Sequence, residues 1–208
     1  SVLCWRSQIH LWMGRWEEAR AGAHAAHRIA ERVRSLYLFA TSHGLGAYAD
    51  WKLEATARPL RDMADAVTWL ESRDKNLFVS LSYGRLAEVM TAQGHVAAAR
   101  AYAACALRRA RKRDWIGVAM AARAMVGMAA GQGDWRAAER HLALATRAAQ
   151  LRGAPHEAAH NDICSAQLAL ARGQREAAAV FLARAIDTFG RLRMEWHRAQ
   201  AEALRRQC

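Results

Sequence analysis

Gly133-Asp134-Trp135-Arg136-Ala137-Ala138-Glu139-Arg140 has weaker copies elsewhere in its own chain. They are Gly14-Arg15-Trp16-Glu17-Glu18-Ala19, Gly94-His95-Val96-Ala97-Ala98-Ala99 and Gly173-Gln174-Arg175-Glu176-Ala177-Ala178. The four glycines stand 80, 39 and 40 residues apart, so the first gap spans two periods. A fixed period of this size marks stacked helical repeats. Each glycine falls where a helical pattern stops, a place where the backbone often turns left-handed and glycine does so without steric cost. Asp134, directly after Gly133, is placed to cap the helix that follows. Alanine follows each glycine by five residues (Ala19, Ala99, Ala138, Ala178) and recurs seven later (Ala26, Ala106, Ala145, Ala185). Seven residues is two turns, so both small side chains share one face and let neighbouring helices approach closely.

Composition points the same way. The 208 residues suffice for one domain or one solenoid, and alanine and leucine are abundant. Proline occurs only at Pro59 and Pro155, and β-branched runs are missing, which favours helix almost throughout. There is no initiator methionine and apolar positions begin at Val2, so the sequence reads as a piece of a longer polypeptide. The segment from Val118 to Ala130 is too short to span a bilayer and carries Arg123; no secretory signal is visible. Cys4, Cys105, Cys164 and Cys208 form no Cys-x-x-Cys pair and read as buried, reduced thiols, which fits a cytoplasm. The net charge of +12 comes mostly from arginine and is spread over every repeat. Solvated outer faces account for it, and no zinc-finger or RNA-binding aromatic signature accompanies it.

Helical periodicity divides the chain into pairs. Val2 to Met13 and Trp16 to about Arg34 form the first. Leu36 to about Asp50 and Leu53 to about Trp69 form a second that lacks the glycine, with Pro59 in the first turn of its helix or kinking it. Ser72-Arg73-Asp74-Lys75-Asn76 is the next connection. Leu77 to Ala92 and Val96 to Arg111 form the third pair; Trp115 to Ala130 and Trp135 to Leu151 the fourth; His156 to Ala171 and Arg175 to Phe189 the fifth. Met194 to Arg206 is a lone helix of the kind that covers the exposed end of a solenoid. The repeats so defined are 1–34, 35–74, 75–113, 114–153 and 154–191, with a capping helix over 192–208, in a single domain.

Few residues suggest chemistry. His156-Glu157-Ala158-Ala159-His160 matches the His-Glu-x-x-His pattern, in which two histidines one turn apart bind zinc and the glutamate activates water. Pro155 places His156 in the first turn, at the rim of a repeat, and Ile163 stands where the metzincin continuation needs glycine. Glu176 has no supporting motif as a third ligand. Cys164 extends the stripe of His156 and His160, yet no fourth ligand for a structural metal is visible. A zinc hydrolase using His156, Glu157 and His160 is therefore a remote alternative, and no metal or cofactor is expected. His24 and His27 read as a surface pair. Arg108-Arg109-Ala110-Arg111-Lys112-Arg113 reads as a solvated helix end, where cations suit the helix dipole. Trp16 and Trp135 follow equivalent turns, and the eight tryptophans read mainly as packing residues. No P-loop and no nucleophile–base pair is present.

The positions of Gly133, Trp135, Ala138, Leu142 and Ala145 resemble those the tetratricopeptide repeat uses for its turn and helix packing. The period near 40 exceeds that family's usual length of about 34, which implies longer helices. A narrower resemblance covers roughly residues 94–208. It is carried by Leu151-Arg152-Gly153-Ala154-Pro155, Ala159-His160, the Gly173 turn, Phe189-Gly190-Arg191-Leu192-Arg193-Met194-Glu195-Trp196 and Gln200-Ala201. This series looks like the C-terminal repeat region of large bacterial class III adenylate/guanylate cyclase-type proteins, and related regions occur in large ATP-dependent LuxR-type transcription regulators. In that pattern His160 is an ordinary repeat position, and no catalytic residue carries over.

The resemblance implies an all-α, right-handed α-α superhelix of about five helix pairs plus a terminal helix. It implies a non-catalytic interaction or sensor module of a larger cytoplasmic bacterial signalling protein; the alternatives are the helical regulatory domain of a LuxR-type regulator and a stand-alone scaffold. Its partner would be a protein or peptide, the upstream domains of the same chain, or a small-molecule signal, with neither nucleic acid nor membrane involved. In the tetratricopeptide register the concave face is lined by the first helix of each pair, and its polar members would be Glu88, Arg123, His160 and Gln167.

Overall fold

Eleven helices and no strand are found among the described residues of the computed structural model, which are 2–54, 58–73, 79–110 and 114–208. In order they are α1 (Val2–Met13), α2 (Trp16–Arg32), α3 (Leu36–Glu54), α4 (Arg58–Ser72), α5 (Val79–Ala92) and α6 (Val96–Ala110). There follow α7 (Val118–Gly131), α8 (Trp135–Leu151), α9 (Pro155–Ala171), α10 (Arg175–Arg191) and α11 (Glu195–Arg205). None of these helices is long and apolar enough to cross a membrane.

The turns explain the beat. Gly14, Gly94, Gly133 and Gly173 all have positive φ, between 72° and 76°. Gly153, Arg34 and Arg193 also have positive φ, at 55°, 51° and 54°. A left-handed residue therefore ends the second helix of a pair as well as the first, and the true unit is one helix with its turn. After each such residue the chain re-enters a helix; at Gly133 the Asp134 side chain accepts a hydrogen bond from the Ala137 amide at 2.9 Å. Pro155 opens α9 at a position whose N–H would have had no helical acceptor.

The alanine ladder lies where close packing demands it. Ala19, Ala99, Ala138, Ala178, Ala106, Ala145 and Ala185 are fully buried and Ala26 nearly so. The even-numbered helices bury a single stripe, as α10 does with Ala178, Leu182, Ala185 and Phe189. Of the odd-numbered helices, α3, α5 and α7 are enclosed on several sides: α3 buries every residue from Leu45 to Ala49. Each odd helix packs on the even helices beside it, and α1 also meets α3, α5 meets α7, and α7 meets α9. Gly117 marks the tightest crossing. A Cβ there would lie 2.0 Å from the Ser80 carbonyl oxygen, and its amide donates to Ser80 Oγ at 3.0 Å.

Some boundaries depart from the periodicity. Leu53 belongs to α3, which runs on to Glu54, and α4 begins at Arg58, with Pro59 in its first turn where proline is tolerated. The fourth pair begins at Val118, because Trp115 precedes the helix. Asp74, Lys75, Asn76 and Leu77 of the expected connection and helix start lie outside the described residues, as do Arg111, Lys112 and Arg113. Within the basic run Arg109 is buried instead of solvated, with Asp114 at 3.8 Å and Glu71 at 4.0 Å. The four cysteines are free; Cys4 is buried, Cys105 and Cys164 are partly buried, and Cys208 is exposed. His24 is exposed, whereas His27 lies with its ring 4.2 Å from that of Phe39, so the two are not one surface pair.

The largest departure concerns the last helix. Besides packing on α10, α11 touches α1, so the row of helices returns to its own beginning. His197 Nε2 lies 3.1 Å from the Trp12 carbonyl oxygen. The Trp16 and Trp196 rings meet edge to face at 5.1 Å. A Cβ on Gly14 would stand 3.0 Å from Trp196 Cβ, so the first turn seats the last helix.

Candidate functional site

The returning chain borders a half-open cavity of about 610 Å³. Its wall comes from every odd-numbered helix: Leu11 and Trp12 of α1, Tyr48 and Lys52 of α3, Arg85, Glu88 and Thr91 of α5, and Met120 and Arg123 of α7. From α9 come His156, Glu157, His160, Ile163, Cys164 and Gln167, and from α11 Trp196, His197, Gln200 and Ala203. Trp16 of α2 and Phe189 of α10 reach in from the outer layer. Glu88, Arg123, His160 and Gln167 thus border one space, Gln167 as an exposed residue.

Two ion pairs tie successive inner helices across it. Lys52 Nζ donates to Glu88 Oε1 at 2.6 Å, and Tyr48 donates its hydroxyl hydrogen to Glu88 Oε2 at 2.6 Å. Burial alone would raise the Glu88 carboxyl, but Lys52 and the two hydrogen bonds hold it below its ordinary value. Burial likewise works against the Lys52 ammonium, and Glu88 more than reverses this, so the lysine stays charged. Arg123 Nη1 lies 2.6 Å from Glu157 Oε2 and donates to Asn161 Oδ1 at 3.0 Å. Burial opposes the Arg123 charge, and Glu157 overcomes it.

These contacts give the His-Glu-x-x-His stretch a different look from the one its spacing suggested. Glu157 is 1% exposed, held between Arg123 and Arg152 (3.9 Å), so its carboxylate is engaged as a counter-ion. His156 does not sit at a rim. It lines the cavity with its ring 5.5 Å from that of Trp12 of α1. His160 packs between Phe189 (5.1 Å) and His197 (4.6 Å). No group of three or more His, Cys, Asp or Glu side chains suited to a metal ion occurs among the described residues. Burial lowers all three histidines and takes His197 to about 4, so the cavity holds neutral imidazoles at pH 7. Burial raises the Cys164 thiol, which is therefore a poor nucleophile.

Three contributors escaped the sequence reading. Lys52 lies over the faces of Trp51 (4.8 Å), Tyr48 (5.3 Å) and Trp16 (5.4 Å). Arg85, 3% exposed, lies over the Tyr48 ring at 4.7 Å and donates from Nη2 to Gln8 Oε1 at 2.6 Å. His197 joins α11 to α1. Arg85 occupies the inner face of a repeat, a register signal that could have found it; His197 and the tryptophans had none, since they meet only when the chain's ends do. Trp12, Trp16 and Trp196 serve the cavity wall, whereas Trp135 packs in the outer layer beneath Arg172 at 5.2 Å. Comparison of the chain with protein-family models, with curated proteins and with solved structures finds no match.

Proposed function

We propose that this chain is a non-catalytic sensor module that takes a small molecule, or the end of a peptide, into the central cavity. Its architecture is read as a right-handed, tetratricopeptide-like superhelix with a period near 40, wound until its ends meet. By the sequence resemblance, the parent protein is a large cytoplasmic bacterial signalling protein of the adenylate/guanylate cyclase type, and upstream domains of that chain receive the signal. The carrying observation is that the wall is assembled from all six odd-numbered helices, α1 and α11 included. A ligand touching them all would strengthen the seam between first and last helix, which turns occupancy into a change of shape or rigidity. The aromatic wall and the few polar groups projecting from it suit a drug-sized ligand.

A thermal-shift screen of small metabolites tests this reading. A true ligand raises the melting temperature, slows amide exchange in both α1 and α11, and is weakened in Ala203→Trp, which puts an indole into the cavity. Binders indifferent to Ala203→Trp would place the sensing surface elsewhere.

A further inference from the structure

We propose that the cavity's ligand is a small organic monoanion, an apolar or aromatic body carrying one carboxylate, with Arg85 as the anchor. The inference rests on the cavity being a ligand site and adds the chemistry of what fills it.

The argument is one of unmatched charge. Three cations line the space, Lys52, Arg85 and Arg123, against two carboxylates, Glu88 and Glu157. Glu88 is matched to Lys52 and Glu157 to Arg123, each at 2.6 Å. Among the described residues no carboxylate is in ion-pair contact with Arg85. Its one acceptor is the neutral Gln8 amide oxygen, and its Nε–H, fully shielded, has no acceptor at all. Gln8 itself is completely buried, and its Nε2 also lacks an acceptor. A buried guanidinium with no carboxylate in contact is costly: burial pulls its pKa down, and the charge of the more distant Glu88 offsets only part of this. A carboxylate would relieve this, since its two oxygens match the planar fork of donors.

The rest of the wall sets the remainder of the ligand. Trp12, Trp16, Met120, Ile163, Phe189 and Trp196 offer an apolar bed. A cationic ligand is disfavoured, because Lys52 and Arg85 are themselves cations of the wall and already lie over the rings of Trp16 and Tyr48. A phosphate monoester carries about 1.5–2 negative charges at pH 7. The single unmatched cation answers a monoanion better, and the neutral histidines add donors and acceptors without charge.

Isothermal titration with 2-naphthoate, its neutral isostere 2-naphthalenemethanol and 2-naphthyl phosphate, at one ionic strength, decides the matter. The expected result is that naphthoate binds at least about tenfold more tightly than either of the others. In Arg85→Gln this preference falls to less than about threefold, and Ala203→Trp, which crowds the cavity, weakens all three probes. Equal binding of naphthoate and the alcohol would leave the cavity a ligand site and overturn the monoanion. A preference for the phosphate would do the same. No binding of any probe up to millimolar concentration would overturn both the monoanion and the cavity reading. If Arg85→Gln does not fold, Arg85→Lys keeps the charge and removes the fork. A preference undiminished in Arg85→Lys would overturn the role of Arg85.

Discussion

His197 of the last helix holds its Nε2 3.1 Å from the carbonyl oxygen of Trp12 in the first, across 185 residues of sequence. Only a neutral ring with hydrogen on Nε2, or the imidazolium, can donate this bond, and burial favours the neutral form. The seam between the chain's two ends is thus tied to a titratable group.

Stability should consequently fall in mild acid. An unfolded histidine titrates near 6.5, and His197 in the fold titrates at about 4. Between these values the unfolded chain binds more protons, so unfolding becomes easier as pH drops. The contribution is complete above about pH 6.5, is lost progressively toward pH 4, and amounts to about 3 kcal/mol. His156 and His160, lowered by burial, add in the same direction, and so does Glu88, held low by Lys52. Urea unfolding from pH 7.5 to 4.5 measures the slope, and His197→Gln, which keeps a donor but does not titrate, should flatten it in part. An unchanged slope in that variant would detach the seam from the pH response.

Glu157→Gln should destabilise the fold by about 3–5 kcal/mol, because it leaves the Arg123 guanidinium buried without its counter-ion. The pair itself need not be stabilising: Arg123→Met with Glu157→Leu should recover most of the loss. Chemical denaturation of the two variants gives the comparison. A double variant as weak as the single one would mean that Asn161 and Arg152 matter more than the missing charge.

Two glycines of the same neighbourhood should respond in opposite senses to alanine. At Gly117 the new Cβ would meet the backbone of Ser80 and Leu81 at 2.0–2.4 Å, so α7 must shift away from α5, at a cost of at least about 2 kcal/mol. At Gly127, an exposed interior position of α7, the nearest atom is Thr91 Cγ2 at 3.8 Å. Alanine there should stabilise by about 0.5–1 kcal/mol through helix propensity alone. Melting temperatures that move in parallel would contradict the crossing geometry.

Arg193→Gly should raise stability by about 0.5–1 kcal/mol, since an exposed arginine occupies a left-handed turn (φ 54°) that glycine adopts freely. A fall in midpoint denaturant concentration would mean that the arginine side chain contributes more than its backbone costs.

The helix-and-turn grammar was legible in the linear chain. Glycine at the turns, alanine five and twelve residues later, and Asp134 as a cap are local devices, each acting within one or two helical turns, and local devices leave local traces. Where arginine replaces the turn glycine, at Arg34 and Arg193, the trace vanishes although the left-handed turn remains. That is why the beat is lost after α2 and α10, whereas after α8 the turn keeps its glycine at Gly153. The inner position of Glu88, Arg123, His160 and Gln167 could also be read from repeat register, which counts residues along a helix and nothing more.

By itself, then, the sequence determined that these residues form helices, where most of those helices turn, and which face of each is small and packed. Only the tertiary structure decided that the last helix meets the first, and so made the cavity, the pairing of Lys52 with Glu88 and Arg123 with Glu157, and the placing of Trp12 beside His156 and His197. The physical reason is accumulation. Where the last helix ends depends on how every intervening helix packs on its neighbours, and no single repeat records the sum. Over five pairs that sum brings the ends together, and residues 185 positions apart become neighbours.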